Sequence, residues 1–240
     1  MIKIFRYELK KLLMNRFFAA LMLLTLWYSY ILLRGSVILG IANTAPFSPW
    51  SFGFYLSSLL PLLSAILLFF IAFLSSKQEK MTQVLTSASP VPPGIYRLVR
   101  CGAIFTGIFL MAVICCLMGA GFLGALFRFG NIPFGEWFLP AVMVLVPSLL
   151  FVAGLGMLVG MWKGWAVYGL IGVVFLSAYL PLPDGAALIP IAFFSEYPKT
   201  LEMLDPAFSV PGSVFAGRMV YGILGILLML GSLKMRSTRK

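Results

Sequence analysis

The stretch whose reading decides the fold runs from residue 75 to residue 100, "SSKQEKMTQVLTSASPVPPGIYRLVR". It is a polar, proline-punctuated interval between two almost unbroken apolar walls, residues 56–74 and 103–127. Residues 77–86 have room for more than two helical turns at about 3.6 residues per turn. Pro90, Pro92 and Pro93 cannot continue a helix. A new helix is expected near Gly94, passing Arg97 and Arg100 into the second wall. Residues 77–86 therefore read as a short helix lying across the ends of the spans. Met81, Val84 and Leu85 share one face, and Lys77, Glu79, Lys80 and Gln83 supply charge and hydrogen bonds. A helix this short is marginal alone in water, and a plain connection can be as brief as residues 161–164. The expected role is a knob that docks into another protein, with an ordinary solvated loop as the alternative.

The walls define the class. Hydrophobic residues make up 61% of the 240 and charged residues only 10%, against about 25% charged in a soluble domain. Too little polar material exists to cover a globule, so the chain reads as an integral membrane protein. Histidine is absent, which removes the commonest general base and zinc ligand. Cys101, Cys115 and Cys116 lie in or beside one apolar stretch with no CxxC spacing, and read as packing residues. No catalytic, metal or cofactor-binding residue is expected. No GxxxxGK[ST] occurs, so no Walker loop can cradle a phosphate.

With about 20 apolar residues needed per crossing, six spans are expected: 17–39, 56–74, 103–127, 137–159, 165–182 and 214–233. Lys/Arg bias marks the cytoplasmic face. One side collects 14 of the 18 basic residues, in the N-terminal segment, the 75–100 interval, Lys163 and the tail. The other side holds Glu136, Asp184, Glu196, Glu202 and Asp205. The expectation is a multi-pass cell-membrane protein with both termini cytoplasmic. The net charge of +11 is then a topology signal, and no nucleic-acid partner is expected.

The first residues carry no cleavage-site pattern after their apolar run and do not read as a signal peptide. Ile2, Phe5, Leu9, Leu12 and Leu13 fall at helical spacing, with Lys3, Arg6 and Lys10 opposite. Residues 1–16 thus suit an amphipathic elbow helix in the headgroup layer. The connection 183–213 contains a nine-residue apolar piece, 186–194, too short to span, which suggests a re-entrant or interfacial segment. Arg34 and Arg218 are expected at similar outer-leaflet depth, facing lipid phosphate, an ion-pair partner or a substrate. Pro147 is expected to kink the fourth span, and Gly156 with Gly160 forms a GxxxG.

Taken together, these features resemble the membrane subunit of an ABC-2-type ATP-binding cassette transporter. In that family an amphipathic helix leads into six spans, and the connection between spans two and three carries a coupling helix of the form E-x-x-T-x-x-x-L followed by a Ser-Pro turn and a basic residue. Here Glu79, Thr82, Leu85 with Thr86, Ser89 with Pro90, and Arg97 match, whereas Met81 stands where glycine is frequent and Arg97 where lysine is frequent. The resemblance implies an all-α permease domain covering the whole chain. It also implies a separate cytoplasmic ATPase subunit that holds ATP and Mg, docked on Glu79, Met81, Thr82, Val84 and Leu85. A second permease, a copy or a paralogue, would complete the pathway, with membrane lipids around it. The chain itself would not be an enzyme. The implied activity is export of an amphiphilic or apolar cargo, such as a peptide, lipid or drug, by alternating access. A non-transporting scaffold that recruits a cytoplasmic protein is the alternative. A secondary carrier is disfavoured by the lack of a mid-span acid and of an internal repeat.

Overall fold

The computed structural model describes residues 2–74, 93–132, 134–180, 182–183 and 185–237. The 77–86 segment and its docking residues Glu79, Met81, Thr82, Val84 and Leu85 lie outside the described residues, as does Asp184. Among those described, all regular structure is helical. Helix α1 covers Ile2–Leu13, α2 Arg16–Gly35, α3 Pro49–Leu74, α4 Pro93–Phe127, α5 Phe138–Trp162, α6 Ala166–Ser177, α7 Ile191–Thr200 and α8 Gly212–Ser237. Five of them, α2, α3, α4, α5 and α8, are long and apolar enough to cross a membrane. The chain is that of a membrane protein.

Two boundaries differ instructively from the sequence expectation. The second span starts seven residues early, at Pro49 rather than 56. The cause is a local start signal: the Ser48 hydroxyl accepts from the Ser51 amide at 3.2 Å, and proline at the first helical position is preset for the turn. The fifth expected span, 165–182, is realised as a helix of only 12 residues, α6. At about 1.5 Å per residue it covers about 18 Å, well short of a bilayer core of about 30 Å. Its chain turns at Ala178 and Tyr179, whose amides bond back to the Phe175 and Leu176 carbonyls at 3.2 and 3.0 Å.

Helix α3 is the hub. Leu56, Leu59, Leu60, Leu63, Leu67 and Leu68 are all fully buried, with α2, α4, α5, α6 and α7 packed around them. The closest helix pair is α5 with α8. Gly154 faces Gly225 there, and a Cβ at Gly225 would stand 2.6 Å from the Leu150 carbonyl carbon. Glycine is required because the two backbones touch. Gly156 turns instead to α3, where a Cβ would sit 2.7 Å from Leu68 Cδ2. Helix α5 continues through Pro147, and a Cβ at Gly222 of α8 would lie 4.0 Å from the proline Cβ.

Contacts sort the ends into two groups. At the near end α1 lies against the start of α4, and Phe17 of α2 stacks on Phe69 of α3 at 5.1 Å. At the far end the start of α3 meets α7 and the loop after it. Trp50 sits among Phe193, Phe194, Tyr197 and Phe208 and donates to the Pro206 carbonyl at 2.9 Å. The Asp205 carboxylate accepts from the Ala45 amide at 3.0 Å, and the Asp205 amide donates to the Asn43 carbonyl at 3.1 Å. Both Asn43 and Asp205 hold left-handed backbone, φ 64° and 49°, a conformation these residue types tolerate better than most.

Candidate functional site

Within the membrane-spanning part a cleft of about 450 Å³ opens between α2 and α6. Trp27, Tyr28 and Ile31 of α2 form one wall, Phe175 and Tyr179 at the end of α6 the other, and Ser58, Pro61 and Leu62 of α3 the floor. Among the described residues no charged side chain lines it. Its polar side-chain groups are the hydroxyls of Ser58, Tyr28 and Tyr179 and the indole N–H of Trp27. The walls are unfinished: Trp27 and Tyr179 are 68% and 84% exposed. Pro61 is the residue that sequence reading passed over. It interrupts the α3 ladder where the helix faces the cleft, because its ring nitrogen cannot donate to the Ser57 carbonyl. Its signal was present, a proline in the middle of an apolar run, but it was absorbed into the hydrophobic count. Such a cleft can hold an apolar or amphiphilic molecule, or a helix from another chain.

The two arginines expected at similar depth behave differently. Arg34 is exposed in the last turn of α2. Arg218 is 2% exposed. Its guanidinium donates to the Leu188 carbonyl at 2.9 Å, the Ala187 carbonyl at 2.7 Å and the Ser148 hydroxyl at 3.2 Å. Ser148 itself donates to the Leu188 carbonyl at 2.9 Å, and the Tyr221 hydroxyl donates to the Ala186 carbonyl at 2.5 Å. Arg218 thus ties the strap of residues 185–190 to α5 and α8. Glu136, Glu196, Glu202 and Asp205 are not its partners. A strap outside regular structure leaves backbone carbonyls to be satisfied, and a planar guanidinium with five donors can satisfy several at once. The close approach is allowed by Gly185 against Gly217, where a Cβ at Gly217 would collide with the Gly185 carbonyl.

At the near end, Glu8 of α1 accepts from Arg100 Nε at 3.1 Å and from the Tyr96 hydroxyl at 3.0 Å. The two side chains of the ion pair are 9% and 10% exposed. The Arg100 guanidinium also lies over the Tyr96 ring, 5.7 Å from its centre. Leu12 packs where Gly107 leaves room, its Cδ2 2.6 Å from where a Cβ there would stand. So α1 is fastened to the first turns of α4, immediately after the polar interval that opened the sequence reading.

Among the described residues no cluster of histidine, cysteine or carboxylate side chains could hold a metal. In the core, the Tyr55 hydroxyl donates to the Cys115 carbonyl at 2.8 Å and bonds to the Ser29 hydroxyl, joining α2, α3 and α4 at one buried point. No protein family, curated protein or solved structure matches the chain.

Proposed function

We propose that the chain is the membrane subunit of an ATP-driven exporter of the ABC-2 type, a half-transporter that moves an amphiphilic or apolar cargo by alternating access. The observation that carries this reading is the uncharged aromatic cleft between α2 and α6. It lies in the spanning part and is built for an apolar guest. It lacks an outer wall, which a second permease, a copy or a paralogue, would supply. On this reading α1 is the elbow helix and both termini are cytoplasmic in the cell membrane. On the same reading α6 belongs to the fifth of six crossings, α8 makes the sixth, and α7 belongs to an outer re-entrant segment. The 77–86 helix receives the push of a separate ATPase subunit, which carries ATP and Mg. The lever then acts on α3 and α4, the helices it joins, and α1 follows α4 through Glu8 and Arg100.

Two outcomes test this. Purification of the tagged chain from its own cells should yield a particle with two membrane subunits and two ATPases, whose ATP turnover responds to amphiphilic compounds. A stable particle with one membrane subunit and cargo-insensitive turnover would refute it, the latter pointing to a scaffold. Replacing Val84 and Leu85 together with aspartate should leave insertion intact and release the ATPase, since unpaired charge buried in a contact costs several kcal/mol. Retention of the ATPase and of transport would contradict the docking role. Orientation is checked by cysteines at Lys80 and Glu202: an impermeant thiol reagent should label only the second in intact cells.

A further inference from the structure

A second cleft, of about 250 Å³, opens at the near end between α1 and the ends of α2, α3 and α4. Its interior is apolar and aromatic, formed by Leu12, Phe17, Phe69, Phe70, Phe73 and Ile104. Its rim is polar: Glu8, Lys11, Asn15 and Arg100. The apolar stretches of three helices all end here, α2 beginning at Arg16, α3 ending at Phe73 and α4 beginning at Leu98. The opening therefore lies in the plane where hydrocarbon gives way to headgroups. Phe17 and Phe73 stand at the mouth, 49% and 54% exposed.

The charge at the rim is one-sided. Both carboxylate oxygens of Glu8 are engaged, one by Arg100 and one by Tyr96, so the one acid among the described lining residues is already matched. Lys11 is exposed and makes no ion pair among the described residues. Lys10 precedes it and Arg16 follows five residues on. Among the described residues, an anion at the mouth would meet cations with no free carboxylate beside them. The volume falls below the range of about 300–1,000 Å³ that encloses a whole drug-sized ligand. It suits part of a hydrocarbon chain whose head stays outside. An apolar slot at the membrane boundary with an exposed lysine at its rim is the chemistry that recognises an anionic phospholipid, with juxtamembrane lysines drawing the head and the aromatic slot taking the first part of a tail.

We propose that this cleft binds one anionic phospholipid of the leaflet against which α1 lies, its phosphate on Lys11 and one acyl chain between Phe17 and Phe73. The site is distinct from the α2–α6 cleft, and its occupancy does not depend on transport. It would make the seating of α1 on α4 responsive to the lipid composition around it.

The experiment is native mass spectrometry of the purified full chain, titrated with phosphatidylglycerol, phosphatidylcholine or inorganic phosphate. The wild type should retain one phosphatidylglycerol in preference to phosphatidylcholine. Lys11→Glu, an exposed change, should weaken phosphatidylglycerol by about 25-fold, because each unit of charge near a charged head is worth roughly a factor of five and the reversal changes two, and should abolish the preference. Phe73→Ser should weaken both lipids. Lys199→Glu, at the far end, should change neither. Inorganic phosphate at millimolar concentration should not displace the lipid. Equal retention of the two lipids by the wild type, or none of either, would overturn the proposal. So would phosphatidylglycerol binding indifferent to both variants, or displacement by phosphate alone, which would mean a headgroup site without a tail. Unchanged thermal unfolding of Lys11→Glu without lipid separates lost binding from lost structure.

Discussion

The two ends of the bundle are fastened by different chemistry. At the far end the contacts are many and interlocked. Trp50 is buried in an aromatic cluster, Asp205 clasps the 43–45 turn through two hydrogen bonds, and Arg218 holds two carbonyls of the strap. At the near end, among the described residues, α1 is held by Glu8 on Arg100 and Tyr96 and by apolar side chains such as Leu12, and a cleft opens beside it. Interlocked contacts fail together, while a lone clasp can release one helix and leave the rest in place. The far end is built as a fixed frame, and the near end as the part that can move without unfolding the bundle.

The largest effect that can break this contrast is expected from Trp50→Ala. It removes a fully buried indole and its bond to the Pro206 carbonyl, and should cost about 3–5 kcal/mol, lowering the unfolding temperature of the detergent-solubilised protein. A loss below about 1 kcal/mol would show that the aromatic cluster is not part of a frame. Next is Arg218→Met, which keeps the bulk but removes the guanidinium donor of the Ala187 carbonyl and leaves the Leu188 carbonyl with Ser148 alone. The lost donors should destabilise by about 1–3 kcal/mol, and a cysteine at Ala187 should become reactive to thiol reagents in that background. An unreactive Ala187→Cys would mean that the strap is held by something other than the guanidinium. Glu8→Gln should have the smallest global effect, about 1 kcal/mol, yet the most local one. Trypsin should cut at Lys10 and Lys11 in the folded variant and spare them in the wild type. If Glu8→Gln instead lowers the unfolding temperature as far as Trp50→Ala, the two ends are not different in kind.

How legible was this in the sequence? The apolar walls were, because about 20 residues without charge leave few alternatives to a spanning helix. So was the helix start near Gly94, where three prolines end and an apolar period begins. The short α6 was not. Its composition is as apolar as any span, and what ends it is a turn at Ala178–Tyr179, whose residues carry no breaker signature of their own. The early start of α3 was missed because "PFSPWSFGF" reads as a loop until Ser48 is seen as a cap. Candidate sites fared by range. The α2–α6 cleft needs residues 27, 61 and 179 together, and no local pattern links them. Arg218 was singled out for its charge, but its partners are neutral carbonyls 30 residues away, and a sequence does not mark which carbonyls lack a donor. Glu8 and Arg100, 92 residues apart, were both visible as charges, and their pairing was not.

The Arg218 clasp also sets an order of events during synthesis. The carbonyls it satisfies belong to residues 30 and 31 positions earlier, and the serine it meets lies 70 earlier. At roughly 5–20 residues per second, the strap waits about 2–6 seconds after translation for its donor to appear. Helices α2 to α5 can insert and pack in that interval, but the far end cannot close until α8 enters the membrane. A chain that ends before residue 218 and has been released from the ribosome should therefore carry a 185–190 segment open to protease, and the full chain should not.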